Sequence, residues 1–295
     1  MRASRLLGLL ALVPALAMAH EGGPLQPDDL WSAWEFEPGI TIPLIVSAWL
    51  YARGARSSRG VTTTQAVCFW SGLVVLSLAL LSPLHPLGEV LFSAHMAQHE
   101  VLMLIAAPLL VVSRPLVPFL WGLPPGWRRG LGQWSKTPLI AKVWQSLTAP
   151  LHAWWLHAVA LWAWHAPVLF QATLTSEWVH TAQHLSFFLS ALLFWWSLFY
   201  TRTALGRGQS VFYVFTTGVH TGILGALLTF APVVFYPAYT STAPLWGLTP
   251  LQDQQIGGLI MWVPAGVVYI VVGLWLLAAW LRESDAMLAR KSYAE

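Results

Sequence analysis

Residues 91–113 read LFSAHMAQHEVLMLIAAPLLVVS. The run contains neither Lys nor Arg and a single carboxylate, Glu100. A helix that rises about 1.5 Å per residue spans the hydrocarbon core of a bilayer with about 20 apolar residues, and this stretch is long enough. Six further apolar segments accompany it, at about 38–53, 61–81, 149–167, 178–200, 210–232 and 256–281. The composition of the whole chain agrees. Of 295 residues, 57% are hydrophobic and 9% charged, whereas a soluble domain carries about 25% charged residues. So few charges cannot coat a water-facing globule, and intrinsic disorder requires the opposite balance. The expected fold class is therefore all-α, a polytopic membrane bundle of seven transmembrane helices over residues 38–281.

Residues 1–19, MRASRLLGLLALVPALAMA, combine a charged start (Arg2, Arg5), an apolar centre and an Ala-Met-Ala end, which reads as a cleavable signal peptide. Cleavage would leave His20 at the mature N-terminus of an extracytoplasmic segment, 20–37; an uncleaved first helix is the competing reading. Residues 282–295 read as a cytoplasmic tail. Between the third and fourth spans, residues 114–148 break at Pro115, Pro118, Pro124 and Pro125, and Lys136–Leu147 carries its apolar residues on one face, as an interfacial helix does. With the mature N-terminus outside, the inner loops hold Arg53, Arg56 and Arg59; Arg114, Arg128, Arg129, Lys136 and Lys142; Arg202 and Arg207; and Arg282, Arg290 and Lys291. That is every Lys and Arg beyond the signal peptide, while most acids, Glu21, Asp28, Asp29, Glu35, Glu37, Glu89, Glu177 and Asp253, fall on the other side. This separation follows the positive-inside rule and fits a multi-pass protein of a bacterial inner membrane. The net charge of +3 is too small and scattered for nucleic-acid binding. One cysteine, Cys68, excludes disulfide frameworks and CxxC metal knuckles.

Ionisable groups inside a bilayer are costly and mark function by default. On the third span, His95 and His99 stand four residues apart and share a helix face, with Met96 and Glu100 beside them. On the fifth span His180 and His184 repeat that spacing. The sixth carries His220, and the seventh opens with Asp253-Gln254-Gln255 and continues to Met261. Imidazole binds Cu, Zn, Fe and Ni, and thioether selects soft ions, Cu(I) above all. The candidate ligands are thus His95, Met96, His99, His180, His184, His220 and Met261. Gln98, Glu100, Gln183, Asp253 and Gln254 are candidates to orient the imidazoles. Helix packing is the competing reading for each group: metal binding stands slightly ahead of it for His95/His99 with His180/His184, the two are about even for His220, and packing is preferred for His152, His157 and His165. His85, among prolines, reads as solvated, and His20 is a remote candidate for a Cu(II) histidine brace.

Several stretches resemble the CtaG family of polytopic cytochrome c oxidase assembly factors. They are Ser82-Pro83-Leu84, Ser93-Ala94-His95-Met96-Ala97-Gln98-His99, Ala107-Pro108-Leu109-Leu110, His180 with Gln183-His184, and His220 followed by Ile223-Leu224-Gly225-Ala226-Leu227-Leu228 and Ala231-Pro232. Asp253-Gln254-Gln255-Ile256-Gly257-Gly258-Leu259-Ile260-Met261-Trp262 completes the set. The likeness runs from about residue 38 to the end of the seventh span. It implies a non-enzymatic, seven-span factor that matures a haem–copper oxidase. The expected partners are cytochrome c oxidase subunits, with a periplasmic copper chaperone as a candidate supplier, and the expected cargo is a copper ion. Two alternatives stand beside it. In a b-type haem electron carrier, His99 and His184 would ligate the iron from opposite sides, although an i, i+4 pair on one helix cannot sandwich one haem. A copper transporter needs a polar path that the inner halves of spans three, five and seven do not offer.

Overall fold

The computed structural model describes residues 23–58, 60–200 and 206–292, with side chains as far as residue 284 except that of Arg207. The expected signal peptide and His20 lie outside the described residues. Among these residues all regular structure is helical. The principal helices are α1 (Pro38–Ser57), α2 (Thr63–Leu81), the short α3 (Leu84–Val90), α4 (Phe92–Ser113), α5 (Leu116–Gly122), α6 (Pro125–Trp134), α7 (Pro138–Leu147), α8 (Pro150–Trp164), α9 (Pro167–Thr173), α10 (Glu177–Tyr200), α11 (Arg207–Thr229) and α12 (Pro250–Ser292).

Five of them are long and apolar enough to cross a membrane: α2, α4, α10, α11 and α12. The other two expected spans correspond to α1 and α8. α1 has the length, 20 residues, but Thr41, Ser47, Arg53 and Arg56 lower its apolar content. α8 has 15 residues, about 22 Å of helix, because Pro167 cannot continue it and instead starts α9. The outward faces of the long helices are apolar, with Val67, Leu189, Val263, Val267 and Leu274 more than half exposed. Apolar surface on this scale is what a lipid-facing bundle presents. The expected interfacial helix is α7, which buries none of its residues. α6 precedes it with Trp127 and Trp134 equally exposed.

The middle of α4, Val101–Ala106, is a π-helical segment. There the Ala107 amide donates to Leu102 O, five residues back. The next residue, Pro108, has no N–H to give Met103 O in the same register. The Trp195 indole fills the gap, donating to the Met103 carbonyl at 2.9 Å. α4 ends at Arg114, whose left-handed φ of 49° is unusual for a side chain of that size; its guanidinium lies 4.2 Å from the Tyr200 ring centroid.

The start of α4 is held from across the bundle. Asp253, in the first turn of α12, accepts hydrogen bonds from the Phe92 amide (2.7 Å), the Ser93 amide (3.0 Å) and the Ser93 hydroxyl (2.5 Å). A carboxylate at this position satisfies the free N–H groups of a helix start and complements its dipole. Gln254 and Gln255 fasten the preceding loop: Gln254 accepts from the Phe235 amide and donates to Val233 O, and Gln255 donates to Ala231 O. The expectation that Asp253 and Gln254 orient imidazoles is therefore corrected. Gln254 spends its amide on backbone, and Asp253 its carboxylate on two backbone amides and the Ser93 hydroxyl, because the start of α12 lies against the start of α4 and the 231–236 loop.

Candidate metal centre

α4 and α10 bring their histidines together beside α3. Residues four apart lie one turn above each other. His95 and His99 therefore stack along α4, with ring centroids 4.4 Å apart, and His180 and His184 do the same along α10, also at 4.4 Å. Between the helices, His99 and His184 are 5.0 Å apart, His95 and His180 5.3 Å, and His95 and His184 5.7 Å. A fifth ring joins them. His85 on α3 stacks on His180 at 5.4 Å and meets His184 edge-on at 5.9 Å.

Two groups in this cluster have ligand atoms all within 4.8 Å of one another: His95, His99 and His184, which are all buried, and His85, His180 and His184. They share His184. His99 Nδ1 and Nε2, His180 Nε2 and His184 Nε2 are buried without a hydrogen-bond partner. Such groups carry a desolvation cost that a bound cation would offset. The donor set and its spacing therefore fit a small transition-metal ion.

Both nitrogens of His95 and Nδ1 of His85 have partners. His95 Nδ1 lies 3.3 Å from the Gly88 carbonyl and Nε2 3.1 Å from the Gln183 amide. Nε2 faces the amide oxygen of Gln183, so both partners are acceptors; the single ring proton serves one of the two contacts, and the other nitrogen keeps its lone pair. Gln98 donates to Ala79 O (2.7 Å) and to His85 Nδ1 (2.9 Å). Burial holds His85 below the ordinary imidazole pKa, against the pull of Glu35 and of the Gln98 hydrogen bond; because Nδ1 accepts from Gln98, the neutral ring carries its proton on Nε2 and must release it to ligate through that nitrogen.

Other expected members lie elsewhere. His220 on α11 meets Trp154 of α8 at 5.2 Å, and both its nitrogens lack partners. It stands outside both ligand groups because α11 packs chiefly on α12, and on α8 at this level. Met261 packs in the apolar core with Met103 and Leu224. Glu100 has one carboxylate oxygen buried and unpartnered, and lies within electrostatic range of Tyr269. His85 corrects the expectation of a solvated loop residue. Pro83 and Pro86 turn the chain after α2 so that α3 folds back over the bundle and half-buries the ring. The available signal was its position ten residues before His95, in the turn leading into α4. His165 also packs here, its Nε2 3.3 Å from Met96 Sδ; ending its apolar segment just before Ala166-Pro167 put it at the same end of the bundle as His180. His157 is a packing residue, bonded to the Ser190 hydroxyl at 3.1 Å.

A family model described as cytochrome c oxidase caa3 assembly factor (Caa3_CtaG) matches residues 48–283. Curated relatives include an uncharacterized protein of Mycobacterium leprae, 25% identical over 282 residues, which cover 90% of this chain and 42% of that protein. Uncharacterized proteins of Mycobacterium bovis and Mycobacterium tuberculosis are each 25% identical over 273 residues, covering 88% of this chain and 41% of theirs. The chain thus spans less than half the length of these relatives. No solved structure matches.

Proposed function

This chain belongs to the cytochrome c oxidase caa3 assembly factor family, and from that membership we propose that it carries copper to an oxidase subunit through its imidazole cluster. The reading rests on one observation above the others: four buried, unpartnered imidazole nitrogens on His99, His180 and His184, within two ligand groups hinged on His184. An ion can leave His95 and His99 for His85 and His180 while His184 keeps hold of it, so it is bound without being trapped. Such exchange is what a delivery protein needs and a closed thiolate site lacks. With all Lys and Arg beyond residue 19 expected on one side, the cluster lies in this reading toward the extracytoplasmic face of the inner membrane. The ion would come from there, with a copper chaperone as a candidate donor. A haem reading is less favoured. Neighbouring rings among the five sit with centroids 4.4–5.9 Å apart, which suits one small ion and leaves no gap for a macrocycle.

The test is to express His99→Ala and His184→Ala in a host lacking the protein, and to measure metal bound to the purified protein together with oxidase activity and oxidase copper in the membranes. Loss of bound copper with loss of oxidase copper is expected for both. Full oxidase assembly by either variant would overturn the proposal.

A further inference from the structure

Met96 and His165 meet beside the imidazole cluster, with His165 in electrostatic range of His95 and His99. His165 caps the end of α8. Its Nδ1 lies 2.7 Å from the Leu161 carbonyl and its Nε2 3.3 Å from Met96 Sδ. Because a carbonyl can only accept, the single proton of the neutral ring sits on Nδ1, and Nε2 turns a lone pair toward a thioether that also has no proton. Two electron-pair donors thus face each other at hydrogen-bond distance with no hydrogen between them. Protonating the ring would mend the contact, but it would bury a cation among basic neighbours, in a place where Met96 is 0% and His165 5% exposed.

We propose that His165 Nε2 and Met96 Sδ are a ligand pair for a soft monovalent ion, Cu(I), adjoining the imidazole cluster; this rests on the reading that the cluster handles copper. Bonds of about 2.0 Å to nitrogen and about 2.3 Å to sulfur, the lengths usual for zinc, turn the observed 3.3 Å separation into a ligand–metal–ligand angle of about 100°. That angle is near tetrahedral, so the spacing of the two donors suits one ion. Both donors are held in advance. A Cβ on Gly257 would run into the Phe92 ring and stand 3.3 Å from Met96 Cγ, so the bare glycine makes room chiefly for Phe92 and, less tightly, for the methionine stem. The Tyr236 hydroxyl donates to the His165 carbonyl at 2.9 Å. His99, with both nitrogens free, packs on the same Phe187 ring as His165, at 4.6 Å and 5.9 Å, and is a candidate for a third ligand. Imidazoles alone accept Zn(II) and Cu(II) as readily; the thioether biases this side toward the soft ion.

The full chain in lipid nanodiscs is titrated with Cu(I) and, as a redox-inert probe, Ag(I), each against a competing chelator, and with Zn(II) in parallel. Met96→Leu conserves volume and should lower Cu(I) and Ag(I) affinity by about tenfold or more while leaving Zn(II) binding at the imidazoles unchanged, which also shows that the variant is folded. X-ray absorption of the Cu(I)-loaded wild type should show a sulfur scatterer at about 2.3 Å that Met96→Leu removes and His165→Phe weakens. A wild-type spectrum with nitrogen scatterers alone, or undiminished Cu(I) affinity in Met96→Leu, would overturn the pair. These readouts are independent of oxidase assembly. A sulfur signal beside full assembly by His99→Ala would sink the delivery reading and leave the pair standing.

Discussion

A carboxylate at a helix start and a carboxylate beside an imidazole are the same residue in sequence and different devices in space. Asp253 is the first kind: three hydrogen bonds from Phe92 and Ser93 converge on it. Asp253→Ala would strand two backbone amides in a buried place, at a cost of about 1–3 kcal/mol. The expected outcome is a lower thermal midpoint in detergent micelles, with the metal-binding stoichiometry of the surviving folded protein unchanged. Loss of metal without loss of stability would show instead that the carboxylate serves the imidazoles. At this scale the i, i+4 pairs His95/His99 and His180/His184 were legible from spacing alone, because one helix fixes both members. Partners drawn from other helices were not: Gln98 serves His85, and Asp253 serves backbone.

α4 shows how one element can need another to complete its own hydrogen bonding. Its π-helical middle and Pro108 together deprive Met103 O of an intrahelical donor, and Trp195 of α10 supplies one. Trp195→Phe should cost about 1–3 kcal/mol for the unpaired carbonyl. Pro108→Ala restores an N–H within the same helix, so Trp195→Phe should cost less in that background. A double-mutant cycle on thermal stability measures the coupling, and strict additivity would show that the indole acts by packing alone. A proline inside a 23-residue apolar run, residues 91–113, signals a local irregularity. Its form, a π segment one turn below His99, depends on which neighbour can take up the carbonyl. The length of α8 has a similar origin: composition marks an apolar segment, and Pro167 sets where the helix stops.

At the scale of the whole molecule, α11 and α12 cross where Gly225 meets Gly258. A Cβ on Gly258 would lie 2.5 Å from the Thr229 amide and 2.8 Å from Gly225 O, whereas one on Gly266 of the same helix would meet nothing within 4 Å. Small residues allow such close approach of helices in a membrane. Gly258→Ala should therefore destabilise the protein by about 1–3 kcal/mol and Gly266→Ala should be neutral or stabilising by up to about 1 kcal/mol, read as opposite shifts of the thermal midpoint; equal shifts would mean that the crossing is not tight. What the sequence by itself determined is the class of molecule and the residues to watch. Hydropathy and charge placement are sums over local segments, and a helix fixes the spacing of His95 with His99 and of His180 with His184 without reference to any other. Only the tertiary structure decided that His85 joins the cluster while His220 stays outside, that His165 meets Met96, and that the Asp-Gln-Gln motif is a clamp. Each of these depends on which helix faces which, and in an apolar bundle that choice is made by glycine clearances and unpaired backbone groups that leave no periodic trace in the chain.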